Sequence, residues 1–176
     1  MPTISVTIPH YNDHDVLGKT LAGLVAQGAS SLEHVRVIVV DNNSTQSGLE
    51  ELDRTYSDAL RLEIVPQPEL PHPFALCRAR NLALSMTRAE WTVSLDADCI
   101  PGPGYIDALL RVAAADRSDV GRIITGERIF VDASRLTPEA IARNGAVLPT
   151  LPTVPSASNY GLPRDRRLPV PGQLPA

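Results

Sequence analysis

Cys77 and Cys99 are the chain's two cysteines, so a disulfide framework is excluded, and nothing around either has zinc-site spacing. Surplus positive charge is missing too: a net charge of −4 over 176 residues offers no basic face for nucleic acid. No apolar run approaches the roughly 18 residues of a membrane span, which leaves peripheral association as the membrane role compatible with the chain. The opening "MPTISVTIPH" lacks the basic n-region and long apolar h-region of a secretory signal. A reducing cytoplasm is therefore the default expectation. Also absent is G-x-G-x-x-G after the first strand-like run, where "PHYNDHD" stands, and this argues against a dinucleotide site. The four histidines, His10, His14, His34 and His72, show no ligand spacing and read as surface or loop residues.

What is present suits one soluble domain with a real core, since 43% of the residues are hydrophobic and 20% charged. Thr3–Ile8 is β-branched and apolar, and reads as a buried strand closed by Pro9. "YNDHD" then starts a helix carrying Val16, Leu17, Leu21, Leu24 and Val25 at helical spacing up to Gly28. "VRVIVV" (Val35–Val40) predicts a second strand, followed by the turn chemistry of "DNNST". Leu49, Leu52 and Tyr56 predict a short helix, and Leu60, Leu62 and Ile64 a third strand. Phe74–Met86 predicts a helix, Trp91–Leu95 a strand, Tyr105–Ala115 a helix and Ile123–Val131 a further strand. Thr137-Pro138-Glu139 is a helix start with Thr as cap and Pro in the first turn. Cys77 and Cys99 read as buried small hydrophobes.

Alternating strands and helices imply right-handed crossovers and a mainly parallel α/β sheet, whose ligands bind beyond the carboxyl ends of the strands. The polar clusters fall at those ends: "PHYN" after the first strand, "DNNST" after the second and "DADC" after the fourth. In "SLDADCIP" two carboxylates, Asp96 and Asp98, stand one residue apart beside an apolar run. Like charges that close repel, and a hard divalent cation removes the difficulty because it prefers carboxylate oxygen. A solvated acidic turn is the plain alternative for an isolated D-x-D. An EF-hand loop from Asp96 fails at Ile100, Pro101 and Asp107, where the loop wants an acid or amide, Gly and Glu. A phosphatase of haloacid dehalogenase type wants Thr at Ile100 and its motif near the N-terminus.

Taken together and in order, "SVTIPHYN", "VIVVDNNST", "CRARNLAL" and "WTVSLDADCIP" strongly resemble the family 2 glycosyltransferases of GT-A fold, over roughly residues 3 to 130. The resemblance implies transfer of a sugar from a UDP- or GDP-linked donor to an acceptor hydroxyl, with a divalent cation, Mn²⁺ or Mg²⁺, and with inversion. It implies that Pro9 and Tyr11 lie along the base and that Asp41 accepts a hydrogen bond from it. Arg80 would stand near base and diphosphate, Asp96 beside the ribose and metal, and Asp98 on the metal. The family's commoner "DDGST" is "DNNST" here, so Asn42 lacks the second carboxylate. Structural alternatives exist for each: a turn or cap for Asp41, aromatic cover for Tyr11, a solvated helix face for Arg80. The acceptor, whether carbohydrate, lipid or protein, is not named by any motif.

Residues 1–144 are expected to form the donor-binding domain and 145–176 an irregular tail, since seven prolines fall from Pro149 onward. Inverting transfer needs a general base, which in the family lies in an acidic motif well past the D-x-D. Glu127, Glu139 and Asp165 are the carboxylates available here, none in a matching context, so the base and the acceptor half are expected beyond Ala176. A nucleotide-binding module without transfer activity is the alternative. The basic cluster Arg164, Arg166 and Arg167 reads either as a diphosphate contact or as a disordered patch.

Overall fold

The structure is a computed structural model that describes residues 3–68, 75–117, 121, 123–126, 128–132, 136–143, 145 and 148. The element order is β1 (Ile4–His10), α1 (His14–Val25), α2 (Ala29–Leu32), β2 (Val35–Asp41), α3 (Leu49–Tyr56), β3 (Leu62–Pro66), α4 (Leu76–Met86), β4 (Trp91–Ser94), α5 (Tyr105–Ala115) and α6 (Pro138–Arg143). The four strands form one parallel sheet in the order β3-β2-β1-β4. β1 and β2 are central, which is why their sequences are near-continuous Val and Ile rather than alternating.

The sheet has two covered faces. Ile4, Val6, Ile8, Val35, Val37 and Val39 pack with Leu17, Leu21 and Leu24 of α1 in the larger core. On the other face Ile38 and Val40 meet Ala79 and Ala83 of α4, small residues that let the helix approach closely. Asp13 caps α1, its side chain accepting the Val16 N–H at 3.4 Å, and Gly28 ends that region with φ +88°, a conformation that favours glycine. Thr137 caps α6 by accepting the Ala140 N–H at 3.3 Å, and Ile141 of α6 is fully buried in the larger core. Leu148 joins the same core. Among the described residues no helix is long and apolar enough to cross a membrane.

Three expectations need correction. Pro9 does not close β1, which runs on through Pro9 to His10 in register with Val40 and Asp41 of β2. Residues 5, 7 and 9 turn their backbone groups toward β4, as the Leu95 N–H to Thr7 carbonyl bond shows, and the β4 pairing has ended by Pro9. Its missing N–H therefore costs no ladder bond. No strand forms among the described residues of 123–131, where Val131 makes an isolated bridge. Its apolar side chains stay in solvent, Ile123 at 92% and Ile129 at 64% exposure, so the burial that would fix a strand there is lacking. Finally, Cys77 is exposed rather than buried, and Cys99 is half-buried. Phe74, Glu127, Asp165 and the Arg164 cluster lie outside the described residues.

Candidate functional site

A cleft of about 360 Å³ opens at the carboxyl ends of the strands. Pro9, His10 and Tyr11 line it from the end of β1, Leu76 and Arg80 from α4, and Asp96 and Asp98 from the segment after β4. Five of the six residues singled out in the sequence thus meet in one place. Asp41 ends the neighbouring strand, paired in register with His10, and is not among the lining residues. A smaller cleft of about 210 Å³, bordered by Thr3, Arg36, Arg61 and Arg88, lies at the opposite ends of the strands.

The loops that follow β1 and β2 are locked together. Asn12 and Asn43 both hold positive φ, +61° and +62°, which asparagine tolerates better than most residues. Asn12 Oδ1 accepts the Thr45 N–H at 2.8 Å, and the Asn12 N–H donates to Ser44 Oγ at 2.8 Å. Asp41 Oδ1 accepts both the N–H of Ser44, at 3.1 Å, and its hydroxyl. One carboxylate oxygen of Asp41 therefore builds the turn, leaving Oδ2 for another partner.

His10 departs from the expectation of a surface residue. It is 2% exposed, and its Nε2 lies 2.9 Å from His14 Nδ1. His14 Nε2 lies 3.0 Å from the Gln46 carbonyl, so that nitrogen carries the proton. Burial, then His14, lowers the His10 pKa, while Asp41 and Asp13 pull the other way. The pair ties the end of β1, the start of α1 and the 41–48 loop into one unit.

The D-x-D segment is a tight turn, with the Cys99 N–H donating to the Asp96 carbonyl at 3.0 Å. Thr20 of α1 fixes it by donating its hydroxyl to the Ala97 carbonyl at 2.7 Å. Gly23, one helical turn on, lets Ile100 and Pro101 lie against α1: a Cβ there would stand 2.7 Å from Ile100 Cγ2. Asp96 is gripped by two arginines, Arg80 on Oδ1 at 2.7 Å and Arg128 on Oδ2 at 2.8 Å. Asp98 is exposed and accepts a weak bond from the Cys99 thiol at 3.6 Å. Arg80 is thus no solvated helix face. Arg128, Thr20, Asn12 and His14 escape the sequence reading, because each acts through a contact far from its own motif.

Ligand atoms of Asp96, Asp98 and Cys99 lie within 4.8 Å of one another. Burial pushes the Cys99 thiol up, with Arg128 offsetting part of the effect, so it stays protonated at neutral pH. A protonated thiol is a poor ligand. The usable donors are carboxylate oxygens, a set that fits Mn²⁺ or Mg²⁺ better than zinc.

Comparison with known proteins agrees with this geometry. The family model described as "Glycosyl transferase family 2" matches residues 5–143. The chain is 30% identical over 134 residues to the chondroitin synthase of Escherichia coli, covering 76% of this chain and 18% of that one. It is 34% identical over 114 residues to the validoxylamine A glucosyltransferase of Streptomyces hygroscopicus subsp. jinggangensis, covering 65% of this chain and 26% of that one. The chain thus spans about a fifth to a quarter of the length of these relatives. Among solved structures, TarS 1–349 of S. aureus superposes with a TM-score of 0.52 at 26% identity, over 64% of this chain and 31% of that one. A mannosyltransferase from Pyrobaculum calidifontis, in complex with GDP-Man and Mn²⁺, superposes with a TM-score of 0.53 at 26% identity, over 66% and 33%. A parallel α/β sheet with a pinned D-x-D turn at its carboxyl edge, matched over most of its length by one family model, places this chain in glycosyl transferase family 2.

Proposed function

We propose that this chain is the donor-binding part of an inverting glycosyltransferase that takes its sugar from a UDP- or GDP-linked donor. The observation that carries the reading is the cleft that joins Pro9 and Tyr11, Arg80, and the Asp96–Asp98 turn. In this reading Pro9 and Tyr11 offer an apolar and aromatic surface to the base, and Asp41 Oδ2 accepts an N–H from it. Asp98, with Asp96, would hold Mn²⁺ or Mg²⁺, which when bound offsets the charge that develops on the leaving nucleoside diphosphate. Arg80 and Arg128 stand where they can add to that, since both reach the same carboxylate. The GDP-Man and Mn²⁺ held by the P. calidifontis enzyme support a donor and cation of this kind.

Two carboxylates and two guanidiniums sum to no net charge at the D-x-D. Such a site attracts a metal–diphosphate complex at least as well as the bare cation. The acceptor is a carbohydrate, lipid or protein hydroxyl. The assay that tests the proposal is release of nucleoside diphosphate from a panel of nucleotide sugars, with broad acceptors and with water alone. Metal-dependent release from one donor class is expected; no release and no donor binding would refute the proposal.

One observation favours binding without transfer by this chain alone. Among the described residues, the carboxylates that line the cleft are Asp13, Asp96 and Asp98, and none comes from beyond the D-x-D. In that case donor binding persists in the same assay while release is absent.

A further inference from the structure

We infer that the smaller cleft, at the amino ends of the strands, binds a phosphate group and is a second site, separate from the donor cleft. Its volume is about 210 Å³, and His34, Arg36, Arg61 and Arg88 stand around it with Thr3 and Ser5. Glu33 and Glu90 adjoin lining residues in the chain, but no carboxylate is part of its wall. The chain as a whole carries a net charge of −4, so three guanidiniums around one cleft are a local concentration against the general sign. One of the three is engaged. Arg36 pairs with Glu63 and donates to the carbonyl of Met86, the last residue of α4, at 3.5 Å. That is ordinary helix-end chemistry for an arginine. Arg61 and Arg88 are exposed, and among the described residues neither meets a carboxylate or a helix carbonyl. The helix-end role thus accounts for Arg36 and leaves two charged forks open on the cleft.

The backbone that carries these cations is fixed by the sheet. The Ile4 N–H donates to the His34 carbonyl at 2.9 Å, the Val37 N–H to the Arg61 carbonyl at 3.0 Å, and the Trp91 N–H to the Thr3 carbonyl at 3.2 Å. Little ordering of the main chain is left to oppose binding. Volume and charge then select the ligand. A cleft of about 210 Å³ falls below the roughly 300–1,000 Å³ of sites that enclose a whole small-molecule ligand, and is too small for a second nucleotide sugar. With histidine counted as neutral, three guanidiniums against the Glu63 carboxylate leave two positive charges. A phosphate monoester carries about −1.5 to −2 charge at pH 7 and offers three acceptor oxygens, enough for two arginine forks. A carboxylate brings a single charge and two oxygens. The length of β1, at about 3.3 Å per residue, sets the two clefts roughly 20 Å apart. One phosphate cannot serve both, so the inference stands independently of the donor-binding reading.

The test is titration of inorganic phosphate into the ¹⁵N-labelled chain, with acetate at matched ionic strength as control, read by backbone amide shifts. Saturable shifts at His34, Arg61, Arg88 and Ala89 are expected with phosphate and not with acetate. Phosphate entering the donor cleft would instead move Tyr11 and Ala97, so the two sites are read apart in one experiment without any variant. Arg61→Gln and Arg88→Gln should each weaken binding at the smaller cleft roughly three- to tenfold, the worth of a charge-assisted hydrogen bond from an exposed side chain. Their thermal midpoints without phosphate should match wild type. Vesicles of phosphatidylcholine, with and without phosphatidic acid, identify the source of the phosphate. Loss of the same four amide signals with phosphatidic acid, reversed by inorganic phosphate, would support the site and assign it to a lipid headgroup. No effect of either vesicle, with the phosphate shifts intact, would support it as a site for a free phosphate. Shifts that do not saturate, that acetate reproduces, or that persist unweakened in the double variant would overturn the inference. Saturable shifts confined to Tyr11 and Ala97 would overturn it too and leave the donor-binding proposal standing.

Discussion

Arg128 gives the sharpest test of the charge balance at the D-x-D, because its replacement should move two affinities in opposite directions. Its guanidinium holds Asp96 Oδ2 at 2.8 Å, with side-chain exposures of 56% and 33% for the two partners. A pair that open contributes little to folding, on the order of 0.2–1 kcal/mol, so Arg128→Gln should fold normally. Toward a bare cation Arg128 is an obstacle. Ligand atoms of the cluster lie within 4.8 Å of one another and the guanidinium lies 2.8 Å from Asp96, which puts a cation on Asp98 within roughly 10 Å of that guanidinium. Repulsion between a dication and a unit charge at that range in water is about 1 kcal/mol, and salt trims it. Freeing one Asp96 oxygen adds a few tenths more. Mn²⁺ alone should therefore bind Arg128→Gln roughly three- to tenfold more tightly, read by Mn²⁺ electron paramagnetic resonance or calorimetry. Toward UDP with Mn²⁺ the sign reverses. Loss of a charge-assisted hydrogen bond to the diphosphate costs on the order of 1.5–3 kcal/mol, more than tenfold in affinity. If the variant binds Mn²⁺ no better than wild type, the idea that the arginines hold the empty carboxylates in balance is refuted.

Three further outcomes follow from named contacts. Asp41→Asn keeps an oxygen for Ser44 and should leave the thermal midpoint within a few degrees, while UDP affinity falls by on the order of 1.5–3 kcal/mol; a parallel loss of pyrophosphate binding would assign Asp41 to the fold instead. His10 has a lowered pKa in the folded chain, chiefly through burial, so the unfolded chain takes up the proton first. Its contribution to stability is complete above about pH 6.5 and is lost as pH falls below that value toward the folded pKa. Thermal midpoints at pH 7.5 and 5.5 should differ less for His10→Gln than for wild type, and identical differences would refute the assignment. Gly23→Ala trades up to about 1 kcal/mol of helix propensity against a 2.7 Å contact with Ile100 Cγ2. Overpacking of that kind typically costs about 1–3 kcal/mol, so the midpoint should fall by several degrees, and a rise would show that the D-x-D turn yields freely.

The sheet was legible because β1 and β2 are buried on both faces, and burial writes itself into sequence as runs such as "VRVIVV". Helices α1, α3, α5 and α6 were legible through spacing and caps, with Thr137-Pro138 marking the start of α6. Ile123–Val131 carries the same β-branched signal but leaves Ile123 and Ile129 in solvent, so apolar content alone misled. His10 resembles a loop residue only until its register with Asp41 is known. At the site, Pro9, Tyr11, Arg80, Asp96 and Asp98 could be picked out by their type and position in short motifs. Arg128 and Thr20 could not, because their partners stand 32 and 77 positions away in the chain. Side chains that meet only after the sheet has assembled leave no local pattern to read.

The most direct measurement of the central claim is titration of UDP into the chain with Mn²⁺ and with chelator, repeated on Asp98→Asn. Asp98 lies exposed at the cleft and carries no ion pair among the described residues, so the change from carboxylate to amide should leave the fold intact. The account predicts binding by wild type with Mn²⁺ and at least a tenfold loss both with chelator and in the variant. Equal UDP affinity under all of these conditions would contradict it.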